Sequence, residues 1–247
     1  MKLDLSNISN EKIHLTIDKE SYEYIRKGLP PSIFDLLIDF REKSIRDIID
    51  RVNDPGSFSG GSSTLHSPPV ATRGTPSSFP VNMASKGIGF IPRGDFLKDR
   101  VEQFDTLINE ALENGDGSNR EERLNTLLEF YTQREKIDNR MLGTLELYGI
   151  RSWRNLQHDP RVSILYNTVM ESENRPYYIS FEVKGVVEVV EKESLRWRWQ
   201  RNVHDLFHLY KAKERREGDW PVAVLTIHVL KVIDKRPYPS PSQEIVD

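Results

Sequence analysis

The 247-residue chain has no cysteine. That excludes disulfides, thiolate metal sites and cysteine nucleophiles. No apolar run approaches the roughly 18 residues that a membrane-crossing helix needs. An excess of basic charge is also missing: 35 Lys and Arg stand against 38 Asp and Glu, for a net charge of −3 and a pI near 6.1. No overall positive field therefore draws the chain to nucleic acid or to anionic membrane, and such binding would need a local patch. The start, Met1-Lys2-Leu3-Asp4, lacks the charged-then-apolar layout of a signal peptide, so the expected setting is intracellular, cytoplasmic or nuclear. Phosphate loops, G-x-S-x-G elbows and dinucleotide fingerprints are likewise missing from the sequence.

What is present divides the chain. Hydrophobic residues make up 37% and charged residues 30%, polar enough to expect part of the chain outside any core. In residues 1–52, Ile13, Leu15 and Ile17 alternate with polar neighbours as a short strand. Asp18 is placed to cap a helix carrying Tyr22 and Ile25. Pro30-Pro31 then opens a longer helix with an apolar stripe through Phe34, Leu37, Ile38, Ile45, Ile48 and Val52. A unit this small buries too little to stand alone, which predicts self-association or docking. Strand, helix, helix is also the order of the ribbon-helix-helix DNA-binding fold, with Lys12, His14 and Thr16 as its groove-facing side chains.

Residues 53–93 are rich in Pro, Gly and Ser and read as a disordered linker. Residues 94–141 read as a helical hairpin broken at Asn114-Gly115-Asp116-Gly117, and from Leu142 the pattern turns to strands. The alternation of Tyr177, Ile179, Phe181 and Val183 is the clearest, with Gly185 marking a bulge. Val222–Ile233 is apolar on both faces and reads as a central strand. The expected fold class is α+β: a small N-terminal αβ unit, a linker, a larger α+β domain over 94–236 with a helical hairpin and antiparallel sheet, and an extended tail from Pro237.

Three constellations bear on function. The helix expected over Leu195–Arg216 carries Arg196, Trp197, Arg198, Arg201, Lys211, Lys213, Arg215 and Arg216. Arginines interleaved with indoles suit stacking and phosphate pairing, or the acidic face of a protein partner. On the same helix His204 and His208 stand four residues apart, which is zinc-ligand spacing, but no third ligand is evident beyond His158 or His228.

The third is the tract Arg154-Asn155-Leu156-Gln157-His158-Asp159-Pro160-Arg161-Val162-Ser163, followed by Val183-Lys184-Gly185-Val186-Val187-Glu188-Val189-Val190. It resembles the second half of the pyridoxamine-phosphate-oxidase-like split barrels over about a third of the chain. The resemblance implies an FMN site, whose phosphate-binding basic tract falls on Arg151, Ser152 and Arg154. It departs from the family where Trp153 replaces a lysine, and where residues 94–141 read as helix in place of the strand hairpin that holds the flavin. Taken together, the expectation is a non-catalytic oligomeric interaction or assembly protein, of a kind that viruses also encode, with a protein partner and no cofactor. The alternatives are an FMN-binding split barrel and a ribbon-helix-helix-like DNA-binding regulator. Nucleic acid is a further partner open to the basic helix.

Overall fold

The computed structural model describes residues 2–53, 65–75, 79–115, 118–170, 177–209, 220–236 and 244–245. The chain is α+β, with two antiparallel sheets and five α-helices among the described residues.

The first sheet is a three-stranded meander of β1 (Lys2–Asp4), β2 (Lys12–Ile17) and β3 (Glu20–Ile25). The helix expected at Asp18 is thus a strand. Ile17 pairs with Glu20 across the two-residue loop Asp18-Lys19, both at positive φ (49° and 73°). That is the primed turn whose twist matches a hairpin. Tyr22 and Tyr24 alternate with Ser21 and Glu23, and this period of two outweighs the capping signal. The ribbon-helix-helix reading is overturned at the same point. Its first helix is absent, and β2 is paired by β1 and β3 on both sides, leaving no edge for a dimeric ribbon.

Helix α1 (Pro31–Asn53) follows as expected. Its stripe of Ile33, Leu37, Ile38 and Ile45 joins the main core, and β2 sets Ile13, Leu15 and Ile17 against Val186 and Leu230. Residues 1–52 therefore dock on the rest of the chain. Docking is tied by two backbone bonds, Lys27 N–H to Val229 O (2.8 Å) and Leu29 N–H to Asn139 O (2.9 Å).

The second sheet has seven strands in the order β5-β4-β8-β9-β10-β7-β6. They are β4 (Pro69–Arg73), β5 (Val81–Ser85), β6 (Gly89–Pro92), β7 (Ile137–Glu146), β8 (Arg161–Met170), β9 (Tyr177–Val189) and β10 (Ala223–Asp234). The tract read as a linker therefore supplies three of the strands, and its part over 54–64 lies outside the described residues. Short strands such as Pro69–Arg73 bury only alternate residues, here Val70 and Thr72, so their hydrophobic signal is thin beside the flanking turn residues.

The edge strands β5 and β6 are consecutive in the chain, separated only by Lys86-Gly87-Ile88. Six strand spacings of about 4.8 Å would put the edges of a flat sheet roughly 29 Å apart. Four residue steps span at most about 14 Å. The sheet must curl until its edges nearly meet, forming an open barrel. The seam is stitched from the link: Thr144 Oγ1 donates to Gly87 O (2.8 Å), and Lys86 Nζ pairs with Glu146 (2.7 Å).

Inside the curl stand Val162, Ile164 and Tyr166 of β8, Ile179, Phe181 and Val183 of β9, and Leu225, Ile227 and Val229 of β10. Gly185 is fixed by close approach: a Cβ there would lie 2.6 Å from Ile227 Cγ2 and 2.7 Å from His228 O. Beside it the register of β10 slips between Val229 and Lys231, and the Val229 carbonyl serves Lys27.

Three further helices matter for the site: α2 (Gly94–Asn114), α3 (Arg120–Thr132) and α5 (Leu195–His208), with α4 (Arg151–His158) between β7 and β8. The expected hairpin over 94–141 exists as α2 and α3, but Ile137–Arg140 already belongs to β7. The three long helices meet on Trp199, which is 1% exposed, packs edge-on against Phe104 and Phe130, and donates its indole N–H to Phe90 O (2.9 Å). No helix among the described residues is long and apolar enough to cross a membrane.

Candidate functional site

Where the sheet curls without fully closing, it leaves a cavity of about 1390 Å³. One wall is the seam, from Asn82 to Phe90, with the C-terminal end of β7 from Gly143 to Leu147. The opposite walls come from α1 and α5, and Leu65–Ser67 passes between them. Its volume exceeds the roughly 300–1,000 Å³ usual for a single small-molecule site.

The lining is mixed, apolar over most of its area and interrupted by many polar and charged side chains. Phe90, Tyr131 and Phe207 supply aromatic surface, and a side chain added at Gly87 or Gly89 would meet nothing within 4 Å. Arg41 on α1 donates to His66 Nδ1, to His66 O and to Ile88 O. Burial, followed by the Arg41 charge and then His208, pushes His66 down to about 4, so its ring is neutral at pH 7. Because a guanidinium only donates, Nδ1 of His66 accepts and its proton sits on Nε2. Burial holds the Tyr131 phenol above its ordinary range. Gln200 of α5 is 7% exposed and donates to Thr226 Oγ1 (3.4 Å), while its Oε1 is buried without a partner. That oxygen is pressed toward β7: a Cβ on Gly143 would lie 2.8 Å from it. Such an orphaned acceptor costs about 1–3 kcal/mol unless something donates to it.

The residues singled out in the sequence are distributed unevenly. Arg151 and Ser152, at the N-terminus of α4, do line the cavity, and Asn82 Nδ2 donates to Ser152 Oγ (3.1 Å). Arg154 is exposed and is not part of the lining. His204 and His208 share one face of α5 with ring centroids 4.6 Å apart, and both line the cavity. The remaining candidates lie elsewhere: His158 faces Asp18 (3.7 Å) and His228 faces Glu188 (3.0 Å). Among the described residues no group of three or more His, Cys, Asp or Glu could hold a metal ion.

The basic helix is packed more deeply than its composition suggests. Trp197 is 4% exposed, and Arg201 stacks on it at 4.6 Å. Arg196 forks onto both oxygens of Glu188 (2.6 Å each), and Arg198 pairs with Asp105. Burial raises the Glu188 pKa, but bonds from His228 and Arg196 outweigh it and hold the carboxyl at about 2. Lys211, Lys213, Arg215 and Arg216 lie outside the described residues.

Sequence reasoning missed Arg41, His66, Lys86 and Gln200. Arg41 and Gln200 lie on helices whose polar positions all look alike in one dimension. His66 and Lys86 fall in the tract read as linker. The usable signal was Ser85-Lys86-Gly87-Ile88-Gly89-Phe90, a strand pair around a lysine and two glycines.

No protein family and no curated protein sequence matches this chain. Among solved structures, it overlaps HutZ, a heme storage protein from Vibrio cholerae, at 12% identity over 67% of this chain and 80% of that one, with a TM-score of 0.34. It overlaps an FMN-binding protein from Syntrophomonas wolfei subsp. wolfei at 9% identity over 82% of this chain and 93% of that one, with a TM-score of 0.38. TM-scores this low establish no shared family.

Proposed function

We propose that the protein binds flavin mononucleotide in the cavity at the barrel seam. The observation that carries this reading is that Arg151 and Ser152, the residues matching the flavin-phosphate tract of the split barrels, lie on the wall of the same cavity as Gln200. The chemistry of the lining fits the group. A phosphate suits an arginine beside the exposed amides of a helix N-terminus. The isoalloxazine ring has one N–H donor, on its imide, and a turn of the Gln200 side chain, whose Oε1 is buried without a partner, would offer it an acceptor. Gly87 and Gly89 leave the backbone open to the flat face of a ring, and Phe90, Tyr131 and Phe207 give it apolar cover. When bound, FMN would supply one- and two-electron redox chemistry, while these side chains bind, orient and desolvate it.

The expectation of a partner on α5 is placed behind this reading, because Arg196 and Arg198 already have carboxylate partners within the chain. The test is direct. Purified protein, titrated with FMN, is expected to quench the flavin's fluorescence saturably. Arg151→Gln is expected to weaken FMN about tenfold while leaving riboflavin, which lacks the phosphate, unchanged. Colourless protein that takes up neither flavin would remove the proposal.

A further inference from the structure

The cavity wall carries a deeply buried charge that the flavin reading does not use. Arg41 is 7% exposed, yet its bonds among the described residues all go to neutral acceptors: one imidazole nitrogen and two carbonyls. Among the described residues no carboxylate lies within ion-pair distance of it. Two other arginines of similar burial are matched, Arg26 by Glu11 (2.6 Å) and Arg100 by Glu129 (3.0 Å). Nor is the charge answered by the acids of the cavity wall. Glu146 is held by Lys86 at 2.7 Å, and Asp47, further along α1, makes no ion pair with Arg41. A buried cation with only dipoles for company is expensive to keep. It becomes favourable when an anion enters the same low-dielectric space.

We propose that Arg41 and His66 form an oxyanion subsite of the cavity, separate from Arg151–Ser152, which takes the phosphate or carboxylate group of a ligand. The guanidinium has five N–H groups, and the three acceptors do not exhaust them. His66 adds a second donor, because accepting from Arg41 at Nδ1 leaves the proton on Nε2. Its neutrality follows first from desolvation and then from the Arg41 charge, so this ring donates one bond without carrying a charge of its own. The cavity is large enough for an anionic ligand beside a flavin. The subsite does not depend on the flavin reading, since it rests on Arg41 and His66 and on neither Arg151 nor Gln200.

The probe is inorganic phosphate. Added to the full chain at matched ionic strength, phosphate is expected to raise the melting temperature saturably where chloride does not, and to broaden its own ³¹P resonance. Arg41→Gln is expected to weaken phosphate at least about tenfold, whereas Arg151→Gln leaves it unchanged. His66→Phe, which removes only the Nε2 donor, is expected to weaken it a few-fold. Should Arg41→Gln not fold, Arg41→Lys keeps the charge without the fork, and intermediate affinity supports the subsite. The source of the anion is read by adding FMN. Competition with phosphate places the flavin's own phosphate at Arg41; simultaneous binding assigns the subsite to a second ligand. Phosphate binding that depends on Arg41 in a protein taking up no flavin upholds the subsite and removes the flavin reading. The subsite is overturned if phosphate stabilises wild-type protein no more than chloride does, or if Arg41→Gln binds phosphate as wild type does.

Discussion

Two charged regions of this molecule are built on opposite principles. Around α5, positive charge is answered by negative charge: Arg196 and His228 converge on Glu188 of β9, and Arg198 meets Asp105 of α2. In the cavity, Arg41 meets only neutral acceptors, and Gln200 presents an oxygen with no donor. The first region is complete as it stands and serves to fasten α5 to the sheet. The second is complete only with something in it. The number of cations on a helix therefore says little about binding. Whether each already has its anion says more.

The strongest way to break the comparison is to remove the support that both regions share. Trp199→Ala takes away the indole packed on Phe104 and Phe130 and is expected to cost about 3–5 kcal/mol in denaturant unfolding, damaging both regions together. Next comes Glu188→Gln, which leaves Arg196 and His228 facing a neutral amide. It is expected to cost about 2 kcal/mol, discounted because the pair is partly solvated. The same carboxyl sets an acid limit. Its pKa is lowered on folding, so its stabilisation is whole above the usual carboxylate range near 4.5 and drains away as pH falls toward 2. Glu188→Gln should flatten that part of the stability profile.

His66 sharpens the contrast in a different pH window. Its folded pKa lies near 4, below the ordinary 6.5, so the unfolded chain binds the extra proton first. Stability is therefore expected to fall between pH 6.5 and 4, by about 1 kcal/mol once solvent screening of the exposed ring is counted, and His66→Gln should remove that slope while leaving the lower-pH loss intact. The smallest effect is reserved for Gly143→Ala. Its new Cβ would crowd the Gln200 side chain, which must give way at a cost of about 1 kcal/mol. Weaker FMN binding at that modest cost would tie the Gln200 oxygen to the ring.

Legibility followed the length and period of each segment. The stripe of α1, the alternation of β9 and the two-faced apolarity of β10 were plain in the sequence, because each buries a long, regular set of side chains. β4, β5 and β6 were not, since four or five residues beside Pro, Gly and Ser carry too few apolar positions to outweigh turn chemistry. β3 was misread as a helix because Asp18 looks like a cap, when its positive φ instead serves a hairpin turn. Of the candidate site, Arg151, Ser152, His204 and His208 were visible beforehand; Arg41, His66, Lys86 and Gln200 were not.

By itself the sequence determined the α+β class, the absence of thiol chemistry and the amphipathic faces that had to be covered. Those depend on residue type and local period, which a one-dimensional string preserves. Tertiary structure alone decided that a Pro- and Gly-rich tract lines the seam of an open barrel, and which cations lie beside an anion: Arg196 does, and Arg41, among the described residues, does not. Curling brings residues 41, 66, 86, 146 and 200 to one cavity, and charge balance is a property of neighbours in space that sequence order does not record.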